Sequence, residues 1–152
     1  MRQQVRALRD QPHGLADVVL RVGERPRRPR GAPSGRLLHE VGDAHVIRNA
    51  GGVVTEDTIR SLTISQHLLD TRETLLVHHT ECGLQATDDV SFADRVEQAT
   101  GRRPPWAARA FIDAEDDVRE SMRLIAESPY LLSHAVRGAV YDVETGRLRE
   151  VR

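Results

Sequence analysis

Residues 42–84 read GDAHVIRNAGGVVTEDTIRSLTISQHLLDTRETLLVHHTECGL, a stretch in which two strand patterns flank a helix. Thr74–His79 (TLLVHH) is almost continuously apolar and ends in two histidines. Such a run suits a strand buried on both faces of a parallel sheet. Ala44–Arg48 (AHVIR) is short and partly β-branched, and it leads into Asn49-Ala50-Gly51-Gly52, the signature of a strand followed by a glycine loop. Between the strands, Thr55 is placed to cap a helix, and Glu56 and Asp57 occupy the first turn, where the helix dipole favours acids. Ile59, Leu62, Ile64, Leu68 and Leu69 give that helix a broad apolar face.

Further along, Asp88–Thr100 predicts a second helix ended by Gly101, and Pro104-Pro105-Trp106 a rigid surface connection. Asp113 is placed to cap a third helix, whose buried stripe is Val118, Met122 and Ile125 before Pro129. Val136–Val143 alternates as a strand, Glu144-Thr145-Gly146 turn the chain, and Leu148–Val151 pairs back. No internal repeat is visible. This order predicts an α/β fold with a mainly parallel central sheet flanked by helices. Ligands of such sheets sit outside the carboxyl ends of the strands, so the Gly51 loop and the His79–Cys82 loop are expected to face one site.

The charge is divided unevenly. Residues 1–36 carry nine Arg against Asp10, Asp17 and Glu24, whereas residues 37–152 carry thirteen Arg against twenty acids, and Lys is absent throughout. The segment Arg25–Arg36 (RPRRPRGAPSGR) lacks the apolar surface that would offset its ordering entropy. Residues 1–36 are therefore expected to be an atypical, flexible Arg/Pro-rich segment ahead of one domain at 37–152. No aromatic residue is interleaved with those arginines to stack bases, so a nucleic-acid partner is not expected. No run of 18 apolar residues offers a membrane span, and no apolar core follows the first arginines as in a secretory signal. The single cysteine, Cys82, excludes an internal disulfide and suits a reducing compartment, the cytoplasm.

His79-x-x-Cys82 puts an imidazole at a strand end and a thiol in the loop after it. Both are zinc-ligand types, at about 2.0–2.1 Å for nitrogen and about 2.3 Å for thiolate sulfur. The pattern alone leaves open a buried structural Cys beside a hydrogen-bonded His. Two ligands do not hold a zinc ion, because a catalytic site needs three protein donors and an open position. His78 should point to the other face of its strand and serve a structural or supporting role. His39 and Asp43 are near in sequence, while His13, His45, His67 and His134 show no metal spacing. Gly51 and Gly83 permit close approach of backbone to a bound group, or simply make turns. Neither GxGxxG nor GxxxxGK[ST] is present.

The block Gly42–Leu84 resembles the central segment of bacterial β-class carbonic anhydrases. The likeness continues through Trp106, the helix EDDVRESMRLI and the closing RGAVYDVETGRLREV. It implies that His79 and Cys82 are zinc ligands, that Gly51 and Gly83 lie beside the substrate pocket, and that the chain forms a homodimer or higher homo-oligomer. The implied reaction is the reversible hydration of carbon dioxide to bicarbonate by zinc-bound hydroxide, a lyase activity. The family's preceding strand ends in Cys-x-Asp-x-Arg, which supplies a third ligand and an Asp–Arg dyad, and no such motif precedes Gly42 here. An ungapped count puts the missing Cys near Pro26. Alignment on Val18-Val19-Leu20 instead sets Arg21, Gly23 and Arg25 at the three motif positions, so a replacement strand at Val18–Val22 would carry Arg21 to the metal. An alternative is an inactive family remnant whose first 36 residues are a frameshift product and which at most binds metal or oligomerises.

Overall fold

A computed structural model describes residues 15–22 as backbone and residues 44–152 in full. Most of the Arg/Pro-rich segment, His13, His39 and Asp43 therefore lie outside the described residues. The elements are β1 (Leu15–Val22), β2 (Ala44–Ala50), α1 (Glu56–Leu69), β3 (Thr71–His79), a short 3-10 turn (Gly83–Ala86), α2 (Asp89–Thr100), α3 (Ala114–Glu127), β4 (Val136–Tyr141) and β5 (Leu148–Val151). They form an α/β fold on a five-stranded mixed sheet of order β2-β1-β3-β4-β5.

The helix starts follow their capping chemistry. Thr55 accepts from the Thr58 amide to open α1, Asp88 from Val90 and Ser91 to open α2, and Asp113 from Glu115 and Asp116 to open α3. Gly101 ends α2 in the left-handed conformation, which costs glycine no Cβ clash. Asp70 ends α1 in the same way, with φ 54°.

β2, β3 and β4 run in one direction, as a parallel core requires, and β3–β4 is the directly bonded parallel pair. β1 fills the slot between β2 and β3 but runs antiparallel to both. The sequence offers Val18–Val22 as a replacement strand, and the chain forms β1 over Leu15–Val22. Its direction corrects the expectation for Arg21, which pairs in register with Glu73 near the start of β3. His79 lies six residues farther on, or roughly 20 Å along the strand. Arg21 is thus placed away from the His79 end of the sheet.

Successive residues of β3 face opposite sides, and α1 and α3 both cover the side that carries Leu76. There Leu76, Leu62, Ile125, Val54 and Leu131 form one buried cluster. A second cluster, Val53, Phe111, Ala114, Val118, Val140 and Val151, includes Cys82 and extends this core to the carboxyl ends of the strands. Gly138 of β4 lets α3 come close: a Cβ there would lie 2.2 Å from Val118 Cγ1 and 2.7 Å from Met122 Sδ. Gly138→Ala is therefore expected to destabilise the fold by about 1–3 kcal/mol through overpacking. Urea unfolding measures this, and an unchanged midpoint would contradict the close α3–β4 approach.

Candidate metal centre

The carboxyl ends of β2 and β3 bring two loops together. After β2, Gly51 and Gly52 take φ values of 76° and 68°, a conformation that glycine adopts without Cβ strain. Asn49 Nδ2 donates to the Val53 carbonyl at 2.9 Å and closes this loop on itself. A Cβ on Gly51 would lie 2.5 Å from Leu84 Cδ1 and 3.2 Å from Phe111, so the Gly51 loop packs directly on the segment that follows Cys82. Gly83, by contrast, has open space where a Cβ would stand.

The turn from His79 to Cys82 is held at both sides. The Thr80 amide donates to the Tyr141 carbonyl at 2.9 Å, and Thr80 Oγ1 accepts from the Val143 amide at 3.1 Å. Glu81 adopts φ 59°, an uncommon value for a residue with a side chain. Beyond it, the Cys82 amide donates to Gln85 Oε1 at 3.1 Å, and Gln85 Nε2 donates to the Ile112 carbonyl at 3.0 Å. The result is a buried Cys82 side chain set beside the His79 imidazole.

His79 Nδ1–H donates to the Thr80 carbonyl at 2.8 Å, which leaves Nε2 as the lone-pair nitrogen of the neutral ring. A metal-binding histidine commonly donates its second N–H to an oxygen in this way. The sequence predicts such an acceptor without identifying it, because a backbone carbonyl has no residue signature. Burial pushes the Cys82 thiol pKa up. The nearby His79 imidazole and the hydrogen bond from the Leu84 backbone outweigh it, so the pKa falls below the ordinary thiol value. A lowered pKa increases the thiolate fraction, the form in which cysteine binds metals.

His78 serves the opposite face, as strand alternation predicts. It is fully buried beside the Phe111 ring, and its Nε2–H donates to the Gly52 carbonyl at 3.1 Å. Its Nδ1 faces Asp117 Oδ2 of α3 at 3.5 Å. His78 thus links the Gly51 loop, β3 and α3. Asp117 is a site residue that the sequence gives no reason to single out, since it reads as one more acid in the first turn of α3. Among residues with described side chains, no third His, Cys, Asp or Glu joins His79 and Cys82 to make a metal-holding group. His45 instead bonds Ser65, His67 the Tyr130 carbonyl and His134 the Ser128 carbonyl.

Two ligand-type side chains thus meet at the carboxyl end of a mixed α/β sheet, beside a glycine loop. Over 111 residues the chain is 52% identical to beta-carbonic anhydrase 1 of Mycobacterium tuberculosis and of Mycobacterium bovis, covering 72% of this chain and 68% of each relative. This chain belongs to the β-carbonic anhydrase family. The carbonic anhydrase crystal structure from Streptococcus mutans superposes with a TM-score of 0.71 at 41% identity, over 75% of this chain and 70% of that one. A carbon disulfide hydrolase of Acidithiobacillus thiooxidans is also similar, at 28% identity over 71% of this chain and 64% of the relative. No family model matches the chain.

The His78–Asp117 contact predicts a pH signature. Burial lowers the His78 pKa to about 4, against the Gly52 hydrogen bond that raises it. Burial also raises the Asp117 pKa to about 6, with Arg109 opposing. Between about pH 4 and 6.5 the unfolded chain binds the His78 proton that the folded chain lacks, so this group makes stability rise with pH. Between about pH 4 and 6 the folded chain holds the Asp117 proton that the unfolded chain has lost, so this group makes stability fall. The two slopes oppose each other in the wild type. Asp117→Asn removes the falling contribution, and its melting temperature should climb more steeply than the wild type's from pH 4 to 6.5. Parallel profiles would show that Asp117 does not titrate in this range.

Proposed function

We propose that the chain catalyses the β-carbonic anhydrase reaction, reversible hydration of carbon dioxide to bicarbonate, with His79 and Cys82 as zinc ligands. The family membership makes this the natural substrate pair, and the observation that carries the site assignment is the placement of His79 beside a buried Cys82 whose pKa is lowered. Zinc in such enzymes lowers the pKa of bound water to about 7. The described side chains supply two of the three donors that a catalytic zinc requires, so they do not by themselves hold the ion. Their own contributions are local. Thr80 fixes the His79 ring and tautomer, and Gln85 fixes the Cys82 backbone. Gly51 and Gly83 would border the substrate pocket with backbone, with Gly83 on its open side.

We place the protein in the cytoplasm as a homodimer or larger assembly. No helix among the described residues is long and apolar enough to cross a membrane. Support for assembly comes from Val46 on the edge strand β2 and from Leu68 and Leu69 at the end of α1, all exposed, since exposed apolar groups near a sheet edge suit burial by another chain.

Zinc content and carbon dioxide hydration measured on the same purified sample test the reading. Close to one zinc per chain is expected, with turnover that Cys82→Ser and His79→Ala abolish while the far-ultraviolet circular dichroism stays unchanged. A folded protein that takes up no zinc and hydrates no carbon dioxide would establish the inactive remnant instead.

A further inference from the structure

A cavity of about 730 Å³ lies where α1, the last turn of α3 and the loop carrying Arg109 meet. Its size is that of a site for a small organic molecule. Val54, Ile59, Ile64 and Leu124 give it apolar walls, and the Ile64 side of the cavity is exposed to solvent. His79, Cys82, Gly51 and Gly83 are not among its walls, so its chemistry is independent of the metal reading.

Ser128 is part of these walls, is 7% exposed, and buries a hydroxyl that has no hydrogen-bond partner. Its backbone is already satisfied: the amide donates to the Ile125 carbonyl at 3.3 Å, and the carbonyl accepts from His134 Nε2 at 3.0 Å. An unsatisfied buried hydroxyl is uncommon enough to call for a reason.

Arg109 lines the same cavity and is half-buried. Asp117 and Glu120 feel its charge, but Asp117 faces His78 and Glu120 pairs with Arg123. Among the described residues no carboxylate closes an ion pair with Arg109. Its backbone takes φ 60°, a costly value for a residue with a side chain and one that clusters at ligand sites. The loop is held there by the Ala110 amide, which donates to Asp89 Oδ1 at 2.9 Å. The walls also carry Arg60, already paired with Asp57 at 3.2 Å, and the acid Glu56. Positive charge therefore prevails beside an apolar surface. We infer that this cavity binds an amphipathic carboxylate, with Arg109 and the Ser128 hydroxyl donating to its oxygens and the α1–α3 walls covering its apolar body. A guanidinium fork matches the two oxygens of a carboxylate, and a free hydroxyl supplies one further donor.

Octanoate tests this on the full-length chain by isothermal titration calorimetry, with octylamine and octanol as its cationic and neutral counterparts. Octanoate should bind saturably, about tenfold or more tightly than either counterpart. Arg109→Gln should weaken octanoate by about tenfold or more and leave octanol unchanged. Ser128→Ala should weaken octanoate by about threefold to tenfold without lowering the melting temperature of the free chain, because the hydroxyl it removes has no partner to lose. Glu56→Gln should strengthen octanoate and weaken octylamine. If octanoate binds no better than octanol, or binds folded Arg109→Gln as tightly as the wild type, the inference is overturned. Size-exclusion chromatography covers the other occupant, a second copy of the chain. If Ile64→Glu dissociates an assembled wild type that does not bind octanoate, the cavity is an interface between copies and the inference is again overturned.

Discussion

The rest of the molecule depends on the hydrogen bonding of β1 to both of its neighbours. β1 pairs with β2 over Leu15–Arg21 and with β3 over Asp17–Val22. Without it, β2 and β3 would each present an unpaired row of N–H and C=O groups in the middle of the sheet. A lost partner costs about 1–3 kcal/mol where the group stays buried, so an empty slot would offset a stability that is typically only about 5–15 kcal/mol. The basic N-terminal segment therefore contributes the strand that makes the sheet continuous. Everything placed by β2 and β3, including the Gly51 loop and the His79–Cys82 turn, inherits its position from that pairing.

Local chemistry was legible in the sequence to the extent that one residue and its near neighbours determine it. Thr55 and Asp113 cap the helices they announce, because a side-chain oxygen beside the amides two or three residues on needs no distant partner. The apolar run of β3 likewise reports burial on both faces. Strand direction is different. Val18-Val19-Leu20 has the same alternation and β-propensity read forwards or backwards, so the pattern predicts a strand without stating which end meets His79. That ambiguity is what put Arg21 at the wrong end of the sheet. The His78–Asp117 contact was hidden for a related reason, since it joins residues 39 positions apart whose local contexts say only strand end and helix first turn.

The two histidines at the end of β3 show how strand geometry separates roles that adjacency in sequence blurs. Alternation sends His78 into the core side beneath α3 and leaves His79 for the loop side. His78 gives its proton to Gly52 and holds the glycine loop against β3. His79 gives its Nδ1 proton to the carbonyl of the next residue, so its orientation is set by the same turn that brings Cys82 back toward it. One histidine fixes the glycine loop, and the other is the donor that the proposed zinc site would use. Exchanging the two roles would require a one-residue slip of β3, which would also expose Leu76 and unseat the α1–α3 core.

Reversal of β1 also keeps a basic residue away from the His79 end of the sheet, where zinc is proposed. A strand parallel to β3 would have delivered Arg21 to that end, where two nearby cations repel. At an effective dielectric of about 20, a unit charge about 7 Å from a divalent ion interacts by about 5 kcal/mol, enough to decide whether a site with few donors fills. The antiparallel register moves Arg21 roughly 20 Å along the strand, beyond the screening length of about 8 Å at physiological salt, and opposite Glu73. A strand that carries none of the family's N-terminal motif can in this way complete the sheet and keep a guanidinium residue from the His79 end, because direction and register, rather than residue order, determine which residues lie there.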